Sequence, residues 1–326
     1  VPVDVTGLSS GVTAISAGSS HACALDDAGS VKCWGKNIEG QLGDGTYENR
    51  REPIDVVGLS SVISAIGANG QITCALTTAG GIKCWGNDLY GKLGNGGLLS
   101  TPIPTDVVGL SADVTAMAVG THTCAVIKDG VVKCWGYNLY GEVGDKTHVH
   151  RDVPVDVLNL NTGVVAITVG AHHTCALLDS GGVKCWGHNA YGQLGDGTQQ
   201  HQDIPVDVFG LTKDVKAIAA GSYYTCALMA TGEIRCWGNN DYAQLGDGTQ
   251  INRLTPGTVH NLPIAITGVA TGDSHGCALW AGSAKCWGYN VYGEVGDGTR
   301  AIRTTPVNVM VPAEMNYEIY LPVVKG

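Results

Sequence analysis

The sequence predicts an all-β fold: a single β-propeller of six four-stranded blades, with one hairpin disulfide in each blade. The tripeptide Cys-Trp-Gly occurs six times, at intervals of 50 or 51 residues. A second cysteine stands nine or ten residues before the cysteine of each tripeptide. Short apolar runs bounded by Gly, Asp, Asn and Ser lie between these marks, a pattern typical of strands. About four short strands in each repeat of roughly 50 residues indicate a propeller blade.

One repeat shows the elements in order. Residues 154–157 are a short alternating segment that opens the repeat, and residues 164–170, 173–178 and 182–187 are three apolar runs. Residues 191–198 close the repeat with turn residues. No segment offers ten or more residues of helical periodicity, so we expect strands throughout. We expect the propeller to span residues 1–309 and a C-terminal extension with one further strand to span residues 310–326.

The cysteines bracket predicted hairpins, whose turns contain Gly or Asp. Ten residues across such a turn place two cysteines opposite each other, where Cα atoms about 5.5 Å apart suit a disulfide. Metal binding is the alternative, but zinc knuckles use Cys-x₂-Cys spacing, which does not occur. The predicted pairs are Cys23–Cys33, Cys74–Cys84, Cys124–Cys134, Cys175–Cys185, Cys226–Cys236 and Cys277–Cys286.

Twelve paired cysteines indicate an oxidising compartment. The chain begins at Val1 without a signal peptide, and we expect that a secretory signal has been removed. The predicted location is therefore extracellular or on the cell surface.

A longer motif surrounds each Cys-Trp-Gly. The first copy has Gly18 and His21, then an Ala-Leu strand, then Trp34-Gly-Lys-Asn and Gly-Gln-Leu-Gly at 40–43. Residues 186–195 repeat the part from the tryptophan onward as Trp-Gly-His-Asn-Ala-Tyr-Gly-Gln-Leu-Gly. This pattern resembles the regulator of chromosome condensation repeat over residues 1–309. The resemblance implies a propeller with one four-stranded blade per repeat, and a rigid ring that binds another protein. Members of that family usually have seven blades and lack a regular cysteine pair, so seven blades are the alternative. The tail at 317–326 resembles those of secreted proteins from filamentous bacteria, which favours a bacterial source.

Candidate catalytic residues are few. Histidines recur where the second strand of a repeat begins, and we expect them to bond to backbone; a convergent histidine site is the alternative. The aspartate of Gly-Asp-Gly-Thr is expected to form an Asx turn, because a calcium loop needs several oxygen ligands. The repeated tryptophan is expected to pack between blades. No nucleophile elbow, phosphate loop or zinc-protease motif occurs, so we expect no enzyme, no cofactor and no metal. The histidines are His21, His122, His173 and His275.

Charge limits the partners. The formal net charge is −10 and no basic cluster occurs, which argues against nucleic acid and against anionic membranes. No run of 18 apolar residues exists, so we expect no membrane insertion.

The terminal segments suggest assembly. Pro-x-Asp-Val or a variant occurs seven times against six Cys-Trp-Gly tripeptides, so one such segment is surplus. An unpaired strand can pair with a neighbouring subunit, and the alternative is that it covers the edge of the last blade. The expected assembly residues are Val1, Val3, Val5, Val307, Val309, Tyr317, Ile319, Tyr320, Leu321, Val323 and Val324.

Two functions follow. The first is a secreted structural subunit that binds copies of itself and forms a fibre or surface layer. The alternative is a monomeric extracellular binding module whose propeller face grips a protein or a glycan. A binder should carry aromatic and arginine anchors in its variable loops. The loops after Gly-Asp-Gly-Thr hold few aromatic residues, which favours the structural function slightly.

Overall fold

The computed structural model describes residues 4–310, which form six four-stranded antiparallel sheets, one for each repeat. The predicted six-bladed, all-β propeller is therefore confirmed, and the alternative of seven blades is wrong. Internal contacts divide the chain into two compact units. Of the described residues, 4–139 and 145–162 form the first unit, and 140–144 and 163–310 form the second.

The first unit contains three blades. Blade 1 has β1 (Val12–Ala17), β2 (His21–Asp26), β3 (Val31–Gly35) and β4 (Arg50–Asp55). Blade 2 has β5 (Ile63–Asn69), β6 (Ile72–Thr77), β7 (Ile82–Gly86) and β8 (Thr101–Asp106). Blade 3 has β9 (Val114–Val119), β10 (His122–Ile127), β11 (Val131–Gly136) and β12 (Arg151–Asp156).

The second unit contains the other three. Blade 4 has β13 (Val164–Val169), β14 (His173–Leu178), β15 (Val183–Gly187) and β16 (Gln202–Asp207). Blade 5 has β17 (Val215–Ala220), β18 (Tyr224–Met229), β19 (Ile234–Gly238) and β20 (Arg253–Thr258). Blade 6 has β21 (Gly268–Thr271), β22 (His275–Trp280), β23 (Ser283–Gly288) and β24 (Arg303–Asn308).

Helical structure is limited to two single 3-10 turns in the described part of the chain. They span Leu89–Gly91, before β8, and Lys128–Gly130, between β10 and β11. Within residues 4–310, no helix has the length and apolar character needed to cross a membrane.

The Pro-x-Asp segment belongs to a different blade from the one predicted. Residues 154–157 were expected to open a repeat, but Val155 pairs with Cys134, so they belong to β12, the last strand of the preceding blade. Proline explains the position, because it lacks an N–H group and is tolerated in a strand at the edge of a sheet. The first strand of each blade is instead the apolar run that follows, such as β13.

The same pairing accounts for the terminal segments. Val307 pairs with Cys286 in blade 6, and the N–H group of Val309 donates to the carbonyl oxygen of Ala284. At the other end, Asp4 and Val5 are exposed and lie outside any strand. Assembly through terminal strands stays a prediction. The remaining assembly residues, and the strand expected at 317–324, lie outside the described residues: Val1, Val3, Tyr317, Ile319, Tyr320, Leu321, Val323 and Val324.

Each blade contains one disulfide, and all six predicted pairs are confirmed. In every blade the two cysteines face each other on the second and third strands, with Cα atoms 4.1 Å apart. This distance is shorter than the 5.5 Å expected, and it resembles the closely spaced facing pairs of antiparallel sheets. Residues 4–310 contain no free cysteine.

The repeated tryptophans connect neighbouring blades within each unit. Trp85, Trp135, Trp186, Trp237 and Trp287 are fully buried. Each indole Nε1 donates to a backbone carbonyl oxygen of the preceding repeat, as Trp237 does to Gln193 at 2.9 Å. The predicted packing between blades is therefore confirmed for these five. The cores are otherwise built from Val, Leu, Ile, Ala and the cystines.

Candidate functional site

The loop that follows the third strand is held by a buried asparagine in five of the six blades. Asn189 accepts the N–H group of Leu194 at 3.0 Å through Oδ1. Its Nδ2 donates to Asp196 Oδ1 at 3.1 Å and to the carbonyl oxygen of Thr198 at 3.1 Å. Asparagines at the same position in four other repeats make the same kind of bonds from Nδ2: Asn37, Asn138, Asn240 and Asn290. The loop is therefore rigid before any ligand arrives.

The Gly-Asp-Gly-Thr segment closes the same loop. Asp44 Oδ1 accepts the N–H group of Thr46 at 3.0 Å, which confirms the predicted Asx turn. The Arg50 guanidinium donates to Asp44 Oδ2 at 2.8 Å. Burial raises the pKa of Asp44, but the bonds from Thr46 and Arg50 outweigh burial and lower that pKa overall. The same balance lowers the pKa of three equivalent aspartates, Asp145, Asp247 and Asp297.

Aromatic side chains on these rigid loops meet in the second unit. The Tyr140 ring lies edge-on to His188, with centroids 4.7 Å apart, and to His201 at 5.0 Å. His188 and His201 stack at 4.6 Å. His172 lies 5.8 Å from Tyr140, at a loop before β14.

Two further tyrosines extend this group. Tyr191 and Tyr223 have ring centroids 5.3 Å apart, and Tyr223 lies 5.8 Å from His188. His201 is exposed and the other five rings are half-buried. They form one continuous aromatic surface from three successive repeats. We call it the Tyr–His cluster: Tyr140, His172, His188, Tyr191, His201 and Tyr223.

The buried carboxylate of Glu142 contacts two members of the Tyr–His cluster. Glu142 is fully buried, its Oε2 accepts the N–H group of Tyr140 at 2.8 Å, and its Oε1 lies 3.3 Å from His172 Nδ1. Burial, and then the neighbouring His201 and His172, lower the pKa of His188 to about 4. The His188 imidazole is therefore neutral at pH 7, which keeps the centre of the cluster uncharged.

Smaller aromatic groups occupy equivalent positions in other repeats. In the first unit, the Tyr90 ring lies 5.1 Å from Tyr137 and 4.6 Å from His150. In the second unit, Tyr242 and Tyr289 are 5.1 Å apart. The Tyr–His cluster thus belongs to a repeated arrangement, in which the tyrosine of one repeat contacts an aromatic residue of the next.

Two of the histidines at the start of second strands form hydrogen bonds with threonine side chains. His21 Nε2 lies 2.8 Å from Thr73 Oγ1, and His173 Nε2 lies 2.9 Å from Thr225 Oγ1. Their partners are therefore side-chain hydroxyls of the next repeat, and the predicted bond to backbone is wrong for these two. Burial lowers the pKa of His21 to about 4; burial, with smaller effects of His188 and His172, lowers the pKa of His173 to about 3.

Side chains that commonly ligate metals do not cluster in the described part of the chain. Within residues 4–310, no group of three or more His, Cys, Asp or Glu side chains could hold a metal ion. His21 and His173 instead form hydrogen bonds between repeats.

The Tyr–His cluster lies only in part in the loops where the sequence suggested anchors for a partner. Those loops are the segments after Gly-Asp-Gly-Thr, where Tyr47 is the only tyrosine and His201 is the one member of the cluster. Tyr140, His188 and Tyr191 lie in the loop between Trp-Gly and Gly-Asp-Gly-Thr, at the variable position and the tyrosine of Trp-Gly-x-Asn-x-Tyr. His172 and Tyr223 lie directly before the second strands β14 and β18. That motif was present in the sequence, but it was interpreted as a mark of the fold.

Comparisons with known proteins agree with this architecture. The model of the RCC1-like domain family matches residues 1–256. Human E3 ubiquitin-protein ligase HERC2 is 34% identical over 270 residues, which cover 81% of this chain and 5% of HERC2. The ultraviolet-B receptor UVR8 of Arabidopsis thaliana is 30% identical over 244 residues, 74% of this chain and 44% of UVR8. The chain thus spans less than half the length of these two relatives.

Solved structures show the same fold. Yeast RCC1 (Prp20), in its complex with Kap60, superposes with a TM-score of 0.84 at 22% identity, covering 95% of this chain and 77% of that chain. Human WBSCR16 also gives a TM-score of 0.84 at 22% identity, covering 94% of this chain and 83% of that chain. At these identities the likeness establishes the fold alone.

Proposed function

Because this chain belongs to the RCC1-like domain family, we propose that it is a non-catalytic, extracellular module that binds a partner protein through the Tyr–His cluster. Propellers of this fold do bind proteins: yeast RCC1 was crystallised with Kap60, and Prp20p of Saccharomyces cerevisiae was studied for binding to Gsp1p and histones. The extracellular setting is supported by the six disulfides, which persist in oxidising compartments.

The Tyr–His cluster is the observation that carries this proposal. Tyrosine offers a large amphipathic contact area, and few rotamers are lost when it binds, which is why it is enriched at protein interfaces. Here three tyrosines and three histidines contact one another, so their rotamers are already restricted in the free protein. Such preorganisation lowers the entropic cost of association.

The charge of the surface favours protein over nucleic acid. The chain carries a net charge of −10, and the buried Glu142 carboxylate lies below the cluster. A phosphate backbone would be repelled by this field, whereas the uncharged aromatic rings suit apolar and hydrogen-bonding groups of a polypeptide. Their edges still present Tyr O–H and His N–H groups for specific bonds.

Photo-crosslinking tests the proposal directly. A benzophenone amino acid placed at Tyr191 should capture one saturable partner from the extracellular medium of the source cells. Unlabelled wild-type protein should compete for this partner, whereas the double variant Tyr191→Ser, Tyr223→Ser should not. The same group placed at Phe209 is the matched control, because that side chain is 68% exposed but belongs to the connection between β16 and β17.

The mass of the captured partner separates the two candidate functions. A different protein supports the binding module. A second copy of this chain would support self-assembly, the competing prediction from the terminal strands. Equal capture from Tyr191 and Phe209, or capture that wild-type protein does not compete away, would contradict a binding role for the Tyr–His cluster.

A further inference from the structure

The second repeat departs from the other five at the buried loop asparagine. Asp88 replaces it, while its Oδ1 still accepts the N–H group of Leu93 at 2.9 Å, as the asparagine oxygens do for their own loops. The second oxygen, Oδ2, therefore stands where the other repeats have an amide nitrogen that donates. Asp88 is fully buried, and its Oδ2 has no hydrogen-bond partner.

The arginine–aspartate ion pair that closes this loop in four other repeats is also missing here. Asn95 replaces the aspartate of Gly-Asp-Gly-Thr, Gly97 replaces the threonine, and Thr101 stands where the first repeat has Arg50. The bond from Arg50 to Asp44 therefore has no counterpart in this repeat. Leu98 and Leu99 are 66% and 84% exposed on the unclamped loop.

A pocket of about 450 Å³ opens at this place. Its walls combine two carboxylates with apolar and aromatic groups, and all of them belong to the first unit. The lining residues are Asp88, Leu89, Tyr90, Leu98, His150 and Asp152.

The lining of the pocket suits a positively charged group carried on a hydrocarbon chain. A buried carboxylate oxygen without a donor is costly, and a charged donor would relieve that cost. Leu89 and Leu98 can cover a hydrocarbon stem, and the Tyr90 ring can face a guanidinium or ammonium group. Lys92 is the nearest cation in sequence, but none of the ion pairs in the described residues joins it to Asp88.

We propose that this pocket binds the side chain of an arginine or lysine presented by a partner polypeptide. The basic group pairs with Asp88 Oδ2 and Asp152, while its stem packs on Leu89 and Leu98. This inference rests on the proposed function, because it supplies a second anchor point for a protein partner. The Tyr–His cluster belongs to the other unit, so the two contacts can be tested separately.

A pair of peptides tests the charge requirement. The probes are acetylated, amidated Gly-Leu-Arg-Leu-Gly and the same peptide with citrulline, which is nearly isosteric but uncharged, in place of arginine. Their affinities are measured at pH 7.5 by NMR titration. The arginine peptide should bind at least tenfold more tightly than the citrulline peptide. Equal affinities would overturn the proposal.

Asp88→Asn is the decisive variant, because it restores the residue that five other repeats carry at this position. It should reduce the preference for arginine to less than twofold. Asp129→Asn removes the same charge from an exposed turn of the same unit and should leave the preference intact. Asp152→Asn, at an exposed position, should weaken the preference several-fold and serves as a second variant independent of the buried site.

Two other outcomes would overturn the proposal. A preference for arginine that persists in Asp88→Asn would place the ligand elsewhere. Calcium chloride provides the second outcome. If calcium binds the free wild-type protein and displaces both peptides from it, but displaces neither peptide from Asp88→Asn, the pocket is a metal site instead. Crosslinking from Tyr191 does not depend on this pocket. A negative peptide titration therefore leaves the proposed function standing, and a negative crosslinking result is detected by its own experiment.

Discussion

The indole Nε1 of Trp186 donates a hydrogen bond to the carbonyl oxygen of Glu142, 2.8 Å away and 44 residues earlier in the chain. The Thr174 hydroxyl donates to the same oxygen at 2.9 Å. One backbone carbonyl thus connects two strands of blade 4 to the preceding loop, and that loop carries Tyr140 of the Tyr–His cluster. The bond that joins repeats therefore also positions the candidate binding surface.

Replacing this tryptophan should weaken the protein. Trp186→Phe removes the indole donor and leaves a cavity, and we expect a loss of about 2–4 kcal/mol in the free energy of unfolding, measured in urea. Trp34→Phe is the matched control, because Trp34 is half-buried and makes no such bond within the described residues. It should cost less than half as much, and equal losses would contradict a role for the bond between repeats.

Much of this architecture was predictable because the same sequence motifs recur in every repeat. The Cys-Trp-Gly spacing predicted six blades, and the hairpin turns predicted all six disulfides. The assignment of Pro-x-Asp to the first strand failed because a repeat in sequence does not show where one blade ends and the next begins. Pairing of Val155 with Cys134 decides that question.

The candidate binding surface was not predictable in the same way. His188 and Tyr140 are 48 residues apart, and only the packing of successive repeats brings their rings to 4.7 Å. The Asp88 site was visible in principle, since Asp and Asn exchange places at 88 and 95 relative to the other repeats. Its importance depends on burial, which a single sequence does not give.

The disulfides should contribute strongly to stability. The double variant Cys175→Ala, Cys185→Ala opens a loop of about 11 residues, and the chain-entropy model gives a loss of about 2.5–3 kcal/mol. Thiol labelling of unfolded, unreduced wild-type protein should find no reactive group. Several labelled cysteines, or links between repeats in a peptide map, would contradict the pairing within blades.

Acid should destabilise the protein through His173. Its folded-state pKa of about 3 lies below the ordinary value of 6.5. Between these two pH values the unfolded chain therefore binds a proton at His173 that the folded protein does not bind. Stability from this group is complete above pH 6.5 and falls as the pH decreases toward 3. His173→Gln should reduce the slope of unfolding free energy by about 1 kcal/mol per pH unit between pH 6 and 4.

Removal of the segment after Met310 should leave the propeller folded. The last bond of the described chain is from the Met310 N–H group to the carbonyl oxygen of Gly296, and β24 is already complete at Asn308. We expect the truncated protein to melt within about 2 °C of wild type, because this change removes none of the strand pairing described. Sedimentation velocity of both proteins then tests self-assembly. If wild type forms polymers and the truncated protein does not, the terminal strand links subunits; if both sediment as monomers, that prediction is wrong.

Asp88 should give the opposite pH dependence to His173. Burial raises its pKa to about 6, with a smaller contribution from Asp152, against the lowering effects of the Leu93 N–H bond and Lys92. Between pH 4 and 6 the folded protein therefore binds more protons than the unfolded chain, and stability from this group falls as the pH rises. The full effect is up to about 3 kcal/mol. Asp88→Asn should abolish this loss and make the protein more stable than wild type at pH 7.

The reciprocal exchange completes the test. Asn189→Asp places a carboxylate oxygen where an amide nitrogen now donates to Asp196 Oδ1 and to the carbonyl oxygen of Thr198. The new carboxylate oxygen would then face two acceptors with no donor of its own, so this variant should lose about 2–4 kcal/mol at pH 7 and recover part of that loss at pH 5 as the new carboxyl group gains a proton. Urea unfolding of both variants at pH 5 and 7 measures the effect. If Asp88→Asn is no more stable than wild type at pH 7, Asp88 Oδ2 already accepts a hydrogen bond in solution. The pocket would then lack the unpaired carboxylate oxygen that cation binding requires.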